Sequence, residues 1–230
     1  MKIVSAVVIS ILLLFGVVFN SFAQSSYNFK DISQGEIDGA LLAITPVRFL
    51  ISNPFFIFIT FKENVNLFFQ PSALKKSEFN MIIAGKRVKE AYLLSQESDF
   101  DNSARTLKLY SDRLGKMTSQ LEKARSQNQD ISKTIGVFAN NLGDQEILLA
   151  AILQMSKDKN NDFSTSTNFS LAVTKYIEAV WILNNISPGI KDRYSLTKEA
   201  SQEAAPVPTP TPTPFLQEGS SSVKLRRIIY

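Results

Sequence analysis

The sequence predicts an all-α protein, an antiparallel helical bundle of about five long helices containing a coiled-coil-like hairpin. Three observations predict it. Apolar residues recur at spacings of three and four over most of the chain, the period of a helix with one buried face. Capping and breaking residues fall at helix-length intervals, at Asn53-Pro54, Pro71-Ser72, Ser98-Asp99, Asp130 and Ser187-Pro188-Gly189. The chain has 230 residues, 44% of them apolar, enough to bury one real core.

The chain opens on Met1-Lys2, an apolar run from Ile3 to Phe19, and Ser21-Phe22-Ala23 before Gln24. These are the parts of a secretory signal peptide, with cleavage expected after Ala23. The apolar run falls just short of the roughly 20 residues of a spanning helix, so an uncut anchor is the alternative. Either way the remainder is expected outside the cytoplasm, secreted or associated with the cell envelope. Residues 24–43 read as an irregular lead-in loosened by Gly35 and Gly39.

Residues 44–205 form the expected bundle domain. Its first helix starts with Asn53 as cap and Pro54 at the first helical position, and stops at Pro71. Phe58, Phe61, Val65 and Phe68 step by three, four and three, while Phe55, Phe56, Ile57 and Ile59 add apolar surface on other sides. A helix apolar nearly all round is covered by neighbours, by a partner or by lipid. The expectation is that it lies sheltered inside the bundle. Residues 41–61 are apolar enough to suggest a membrane span, but Pro46, Arg48, Asn53 and Pro54 interrupt them. An arginine alone costs about 3 kcal/mol at the centre of a span, so a loop leading into a buried helix is the expected reading.

Ser72 caps a second helix that runs to Leu94. Leu74, Met81, Ala84, Val88, Ala91 and Leu94 line one side, and Lys75, Lys76, Lys86, Arg87, Lys89 and Glu90 occupy much of the rest. That basic side is expected to be solvated, with pairs such as Arg87 and Glu90 at i,i+3. Its alternative use is to meet an acidic polymer or anionic lipid headgroups.

Pro46, Asn53-Pro54-Phe55-Phe56, Lys62-Glu63, Val65, Leu67-Phe68, Pro71, Lys75-Lys76, Glu78-Phe79, Ala84, Arg87 and Glu90-Ala91 give the stretch from Ile44 to Asp130 a family likeness. It resembles an uncharacterised bacterial family known as a domain of unknown function in exported, largely helical proteins. Gly85 departs from that pattern, standing where an acidic residue is expected, and Ser72-Ala73-Leu74 lengthens the connection after Pro71. The resemblance implies location and fold and brings no activity.

Asp99 caps a third helix from Phe100 to about Asn128, with Leu107, Tyr110, Leu114, Met117, Leu121 and Ala124 as an unbroken seam. Asp130 caps a fourth, with Ile131, Ile135, Phe138, Leu142, Gln145, Leu149 and Ile152 in the same alternation. Two matching seams joined by a short connection are expected to pack as an antiparallel hairpin. Gly115, Gly136 and Gly143 inside these helices mark either close helix approach or a loosely optimised bundle. Residues 158–167 read as a loop, and a fifth helix carries Phe169, Val173, Ile177, Val180 and Leu183. Residues 190–205 are expected to be a short, weakly docked helix. A Pro/Thr spacer at 206–214 then favours polyproline II and holds a basic-apolar tail, 215–230, away from the bundle.

No cysteine and no histidine occur in the chain. Their absence removes disulfides, thiolate and imidazole metal sites, and Ser-His-Asp or Cys-His catalysis. No catalytic, cofactor or metal site is expected. Glu63, Glu78, Glu90 and Asp99 are the acids available to a carboxylate-based hydrolase, and nothing in their spacing brings two together. The net charge of +4 is spread along the chain and shows no nucleic-acid-binding stripe. The expected function is non-enzymatic: binding or structural support at the bacterial envelope, with an envelope protein, a polymer or a membrane surface as partner. The alternative is a membrane-associated protein inserting or lying with residues 41–61. The candidate contact residues are Phe55, Phe58, Phe61, Trp181, Lys224, Arg226 and Arg227.

Overall fold

A computed structural model describes residues 29–159 and 166–198. The expected signal peptide, the Pro/Thr spacer and the tail with Lys224, Arg226 and Arg227 lie outside the described residues. Among these, every regular element is helical: α1 (Gln34–Ala43), α2 (Phe56–Phe68), α3 (Ala73–Gln96), α4 (Phe100–Ser126), α5 (Ser132–Asp158), α6 (Thr167–Ile186) and a 3-10 turn at Lys191–Arg193. The all-α helical bundle predicted from sequence is the observed fold class.

Local chemistry sets the boundaries. The Ser72 hydroxyl accepts from the Lys75 amide and the Asp99 carboxylate from the Asn102 amide, as expected of N-caps. The far ends of α3 and α4 close in the same way. Ser98 (φ 64°) and Asn128 (φ 55°) take left-handed conformations, and the following amides of Asp99 and Gln129 reach back to Leu94 and Ala124 carbonyls. These are Schellman ends built without glycine. Gly189, at φ 92°, turns the chain after α6 so that its amide and that of Lys191 both donate to Asn184 Oδ1.

Four long helices enclose the core. α3 packs along α4, α4 along α6, α6 on α5 and α5 on α3, so α4 and α5 face each other across the diagonal. The expected hairpin of the third and fourth predicted helices is therefore corrected: the partner of α4 is α3. Both seams are buried, with Leu107, Leu114, Leu121, Leu142, Leu149 and Ile152 all fully shielded, but a seam records only that a face is covered. What selects α3 is its small residues. Ser77 donates to the Met117 carbonyl (2.8 Å), and Ser103 of α4 donates to the Ala91 carbonyl (2.9 Å). Such short hydroxyl-to-backbone reaches across helices require closely set backbones. Tyr110 instead spans the diagonal, donating to Gln145 Oε1 of α5 at 3.1 Å.

Three further expectations are corrected. The lead-in at 24–43 is not irregular throughout, because Ser33 and Glu36 form a capping box that starts α1; α1 then lays Ile37 and Ala40 on α5. Residues 190–198 dock firmly rather than weakly. Tyr194 is buried and donates to the Ala139 carbonyl (2.7 Å), while Glu146 accepts from Ser195 Oγ and the Leu196 amide.

The third correction is the largest. α2 is not sheltered in the bundle. Phe58 is 66% exposed, Phe61 69% and Phe68 78%, and Glu63 is the single buried residue of the helix. α2 rests lightly on α3 and is also reached by Arg113 of α4. A 13-residue helix rises about 20 Å and the chain from 44 to 55 is not helical, so residues 41–61 do not form one membrane-crossing rod. Among the described residues no helix is long and apolar enough to cross a membrane.

Candidate functional site

The face of α2 turned toward the bundle sets half-buried Phe56, Ile59, Thr60 and Leu67 around a single buried acid, Glu63. Arg87 of α3, 2% exposed and the largest fully buried side chain among the described residues, bridges two carboxylates. Its Nη2 donates to Glu63 Oε2 and its Nη1 to Glu90 Oε1, the latter at 2.6 Å. The Phe56 ring lies against the guanidinium with its centroid 4.7 Å from Cζ. Beside it Arg113 of α4 donates to Asn64 of α2 (3.0 Å) and Asn80 of α3 (3.4 Å). α2 is thus tethered by ions and amides together with the half-buried Phe56, Ile59 and Leu67.

Two acids that sequence spacing kept apart, Glu63 and Glu90, are brought together here. Burial pushes the Glu90 carboxyl up to about 7, against the opposing pull of the Arg87 charge and hydrogen bond. Oε1 of Glu63 and Oε2 of Glu90 are buried without a hydrogen-bond partner. The other two candidate acids are accounted for structurally. Glu78 pairs with Lys75 and accepts from Thr134, and Asp99 caps α4. Among the described residues no three carboxylates gather as a metal-holding group.

The solvated basic face expected of the second helix is corrected as well. Arg87 and Glu90 do pair, but in the interior, and Lys89 turns back to donate to the carbonyls of Leu41 and Ile44. Sequence carried a usable signal for Arg87, which stands three residues after Ala84 and four before Ala91, inside the apolar stripe. Arg113, Asn64 and Asn80 carried none.

Between residues 45–49, α2 and α3 lies a cavity of about 370 Å³, lined among others by Arg48, Phe49, Ile59, Lys62, Glu63, Phe79, Lys86 and Glu90. Its charge is ordered. Glu63 and Glu90 are buried, Lys86 is half-buried, and Arg48 and Lys62 are exposed.

Beside the cavity the exposed rings meet in two groups. Phe49 and Phe55 are 6.0 Å apart by ring centroid and Phe55 and Phe58 6.3 Å, while Phe68 and Phe69 meet edge to face at 5.3 Å. Phe55, Phe58 and Phe61 therefore stand together on one outward face. Trp181 does not join them. It lies on α6, partly exposed, with Lys191 Nζ 5.0 Å from its ring centroid.

The fold and this surface define an all-α bundle that displays a phenylalanine-rich helix to its surroundings. Compared with known protein families, curated proteins and solved structures, the chain matches none.

Proposed function

We propose that this is a non-enzymatic, exported helical-bundle protein of the cell envelope that binds a membrane surface by laying α2 flat on it. One observation carries the reading: the helix with the most aromatic face keeps that face in water while its single carboxylate is buried. A surface helix of a self-sufficient domain does the reverse. Contiguous apolar surface of this kind marks an interaction site. Each phenylalanine moved from water to apolar surroundings returns roughly 1.5–3 kcal/mol.

Charge selects lipid over a protein groove as the occupant. Between residues 44 and 70 the charged residues are Arg48, Lys62 and Glu63. With Glu63 turned inward, both charges facing solvent are positive, the pattern of an interfacial helix on an anionic surface. The signal-like leader would deliver the chain to the side of the membrane where such a contact is made.

The test is flotation of the purified chain with vesicles of phosphatidylcholine containing phosphatidylglycerol. The wild type is expected to float. The double variant Phe58→Ser/Phe61→Ser is expected to stay at the bottom with its helicity and thermal midpoint unchanged. Flotation of the double variant at wild-type levels would refute the reading.

A further inference from the structure

The cavity behind α2 has a feature that interfacial binding alone leaves unexplained. Exposed phenylalanines and outward positive charges account for a helix on an anionic bilayer, and the Arg87 tether accounts for one oxygen of each acid beneath it. Here Arg48, Lys62 and Lys86 make no ion pair among the described residues, and they share one cavity with Glu63 and Glu90. Each of those carboxylates has one oxygen that lacks a donor in spite of being buried. A buried acceptor left unmade costs on the order of 1–3 kcal/mol, and more when charged. A natural protein keeps such an atom where something donates to it.

We infer that the cavity between residues 45–49, α2 and α3 receives a phosphoethanolamine headgroup, its phosphate on the exposed cations and its primary ammonium toward Glu63 and Glu90. The inference deepens the membrane-surface reading and rests on it for the source of the headgroup, a lipid of the bilayer on which α2 lies. A zwitterion is the ligand class that satisfies both ends of the cavity. A plain phosphate would leave the acids unmatched and bring a like charge toward them, and an amine without phosphate would leave the cations unmatched. The free oxygens ask for N–H donors, which a primary ammonium supplies and a trimethylated choline lacks. About 370 Å³ lies within the range of small-ligand sites. The walls of Pro46, Val47, Phe49, Ile59 and Phe79 are apolar, and the mouth lies beside the phenylalanines that would enter the acyl boundary.

The experiment uses the full chain with two soluble probes, glycerophosphoethanolamine and glycerophosphocholine, and with vesicles of phosphatidylcholine alone or mixed with phosphatidylethanolamine. Glycerophosphoethanolamine is expected to raise the thermal midpoint and glycerophosphocholine to leave it unmoved. Phosphatidylethanolamine is expected to raise vesicle affinity at least tenfold over phosphatidylcholine alone. Both effects should vanish in Arg48→Ser, an exposed change that leaves the fold intact, and in Glu90→Gln, provided its circular dichroism matches the wild type. Equal responses to the two probes, or no response to either, would overturn the inference. Flotation on phosphatidylglycerol vesicles with no preference for phosphatidylethanolamine would also overturn it, while leaving the membrane reading in place. A midpoint shift by glycerophosphoethanolamine without flotation on any vesicle would support the cavity chemistry and refute the membrane reading.

Discussion

The core seam of α4 and the outer face of α2 have the same helical spacing and opposite fates. Leu107, Leu114 and Leu121 are fully buried, whereas Phe58, Phe61 and Phe68 are mostly in water. Spacing of three and four says that a helix has an apolar face and leaves open what covers it. The α4 face is covered because serines on α3 and α4 let two backbones approach. α2 offers Glu63 and Asn64 beside half-buried Phe56, Ile59 and Leu67, and Arg87 of α3 and Arg113 of α4 answer the polar pair. The difference teaches that a buried ion cluster on a helix's second face can hold it to the bundle with its aromatic face outward.

Removing the polar tether tests this most severely. Arg87→Met strands two buried carboxylates and is expected to cost about 3–5 kcal/mol, read by urea denaturation. Phe138→Ala, deep in the core, is expected to cost about the same through its cavity. Phe61→Ser on α2 should change stability by no more than about 0.5 kcal/mol. An equal loss from Phe138→Ala and Phe61→Ser would erase the contrast between the two regions.

Proton linkage sharpens the same contrast. Glu90, packed among Arg87, Glu63 and Lys86, has its carboxyl raised by burial to about 7, so the folded chain holds a proton that the unfolded chain has already released. Stability must then fall as pH rises from the ordinary carboxylate range to about 7, and level off above it. Burial raises the Asp144 and Glu146 carboxyls in the same direction. Glu90→Gln should therefore flatten part of the slope between pH 4.5 and 7, measured by denaturation at each pH, and a slope unchanged by this substitution would contradict the assignment.

The smallest expected effect concerns the helix interiors. A Cβ added at Gly136 meets nothing within 4 Å, so close helix approach is not its reason. Gly136→Ala should stabilise the bundle by about 0.4–1 kcal/mol, seen as a raised thermal midpoint.

The bundle was legible because its evidence is local. Ser72 and Asp99 cap where they should, and the α4 and α5 seams are buried at the expected positions. Partner choice was not legible, since matching seams on α4 and α5 fit a hairpin as well as a diagonal. The Ser33–Glu36 capping box was readable and outweighed by two glycines in the same segment. Of the candidate contacts, Phe55, Phe58 and Phe61 were singled out by their place on an apolar helix, with a shelter inside the bundle that the structure does not give them. The cluster beneath them depends on Arg87, Arg113, Glu63 and Glu90 meeting from three helices, and no spacing rule reaches between helices.

Because the chain has no cysteine, a single introduced thiol reports its own surroundings. In native conditions without lipid, Phe58→Cys should react with an aqueous thiol reagent at nearly the rate of an unfolded peptide, and Leu121→Cys should not react until the protein unfolds. Adding phosphatidylglycerol-containing vesicles should protect position 58. Protection of Phe58→Cys in buffer alone, matching Leu121→Cys, would contradict the outward-facing α2 on which the account depends.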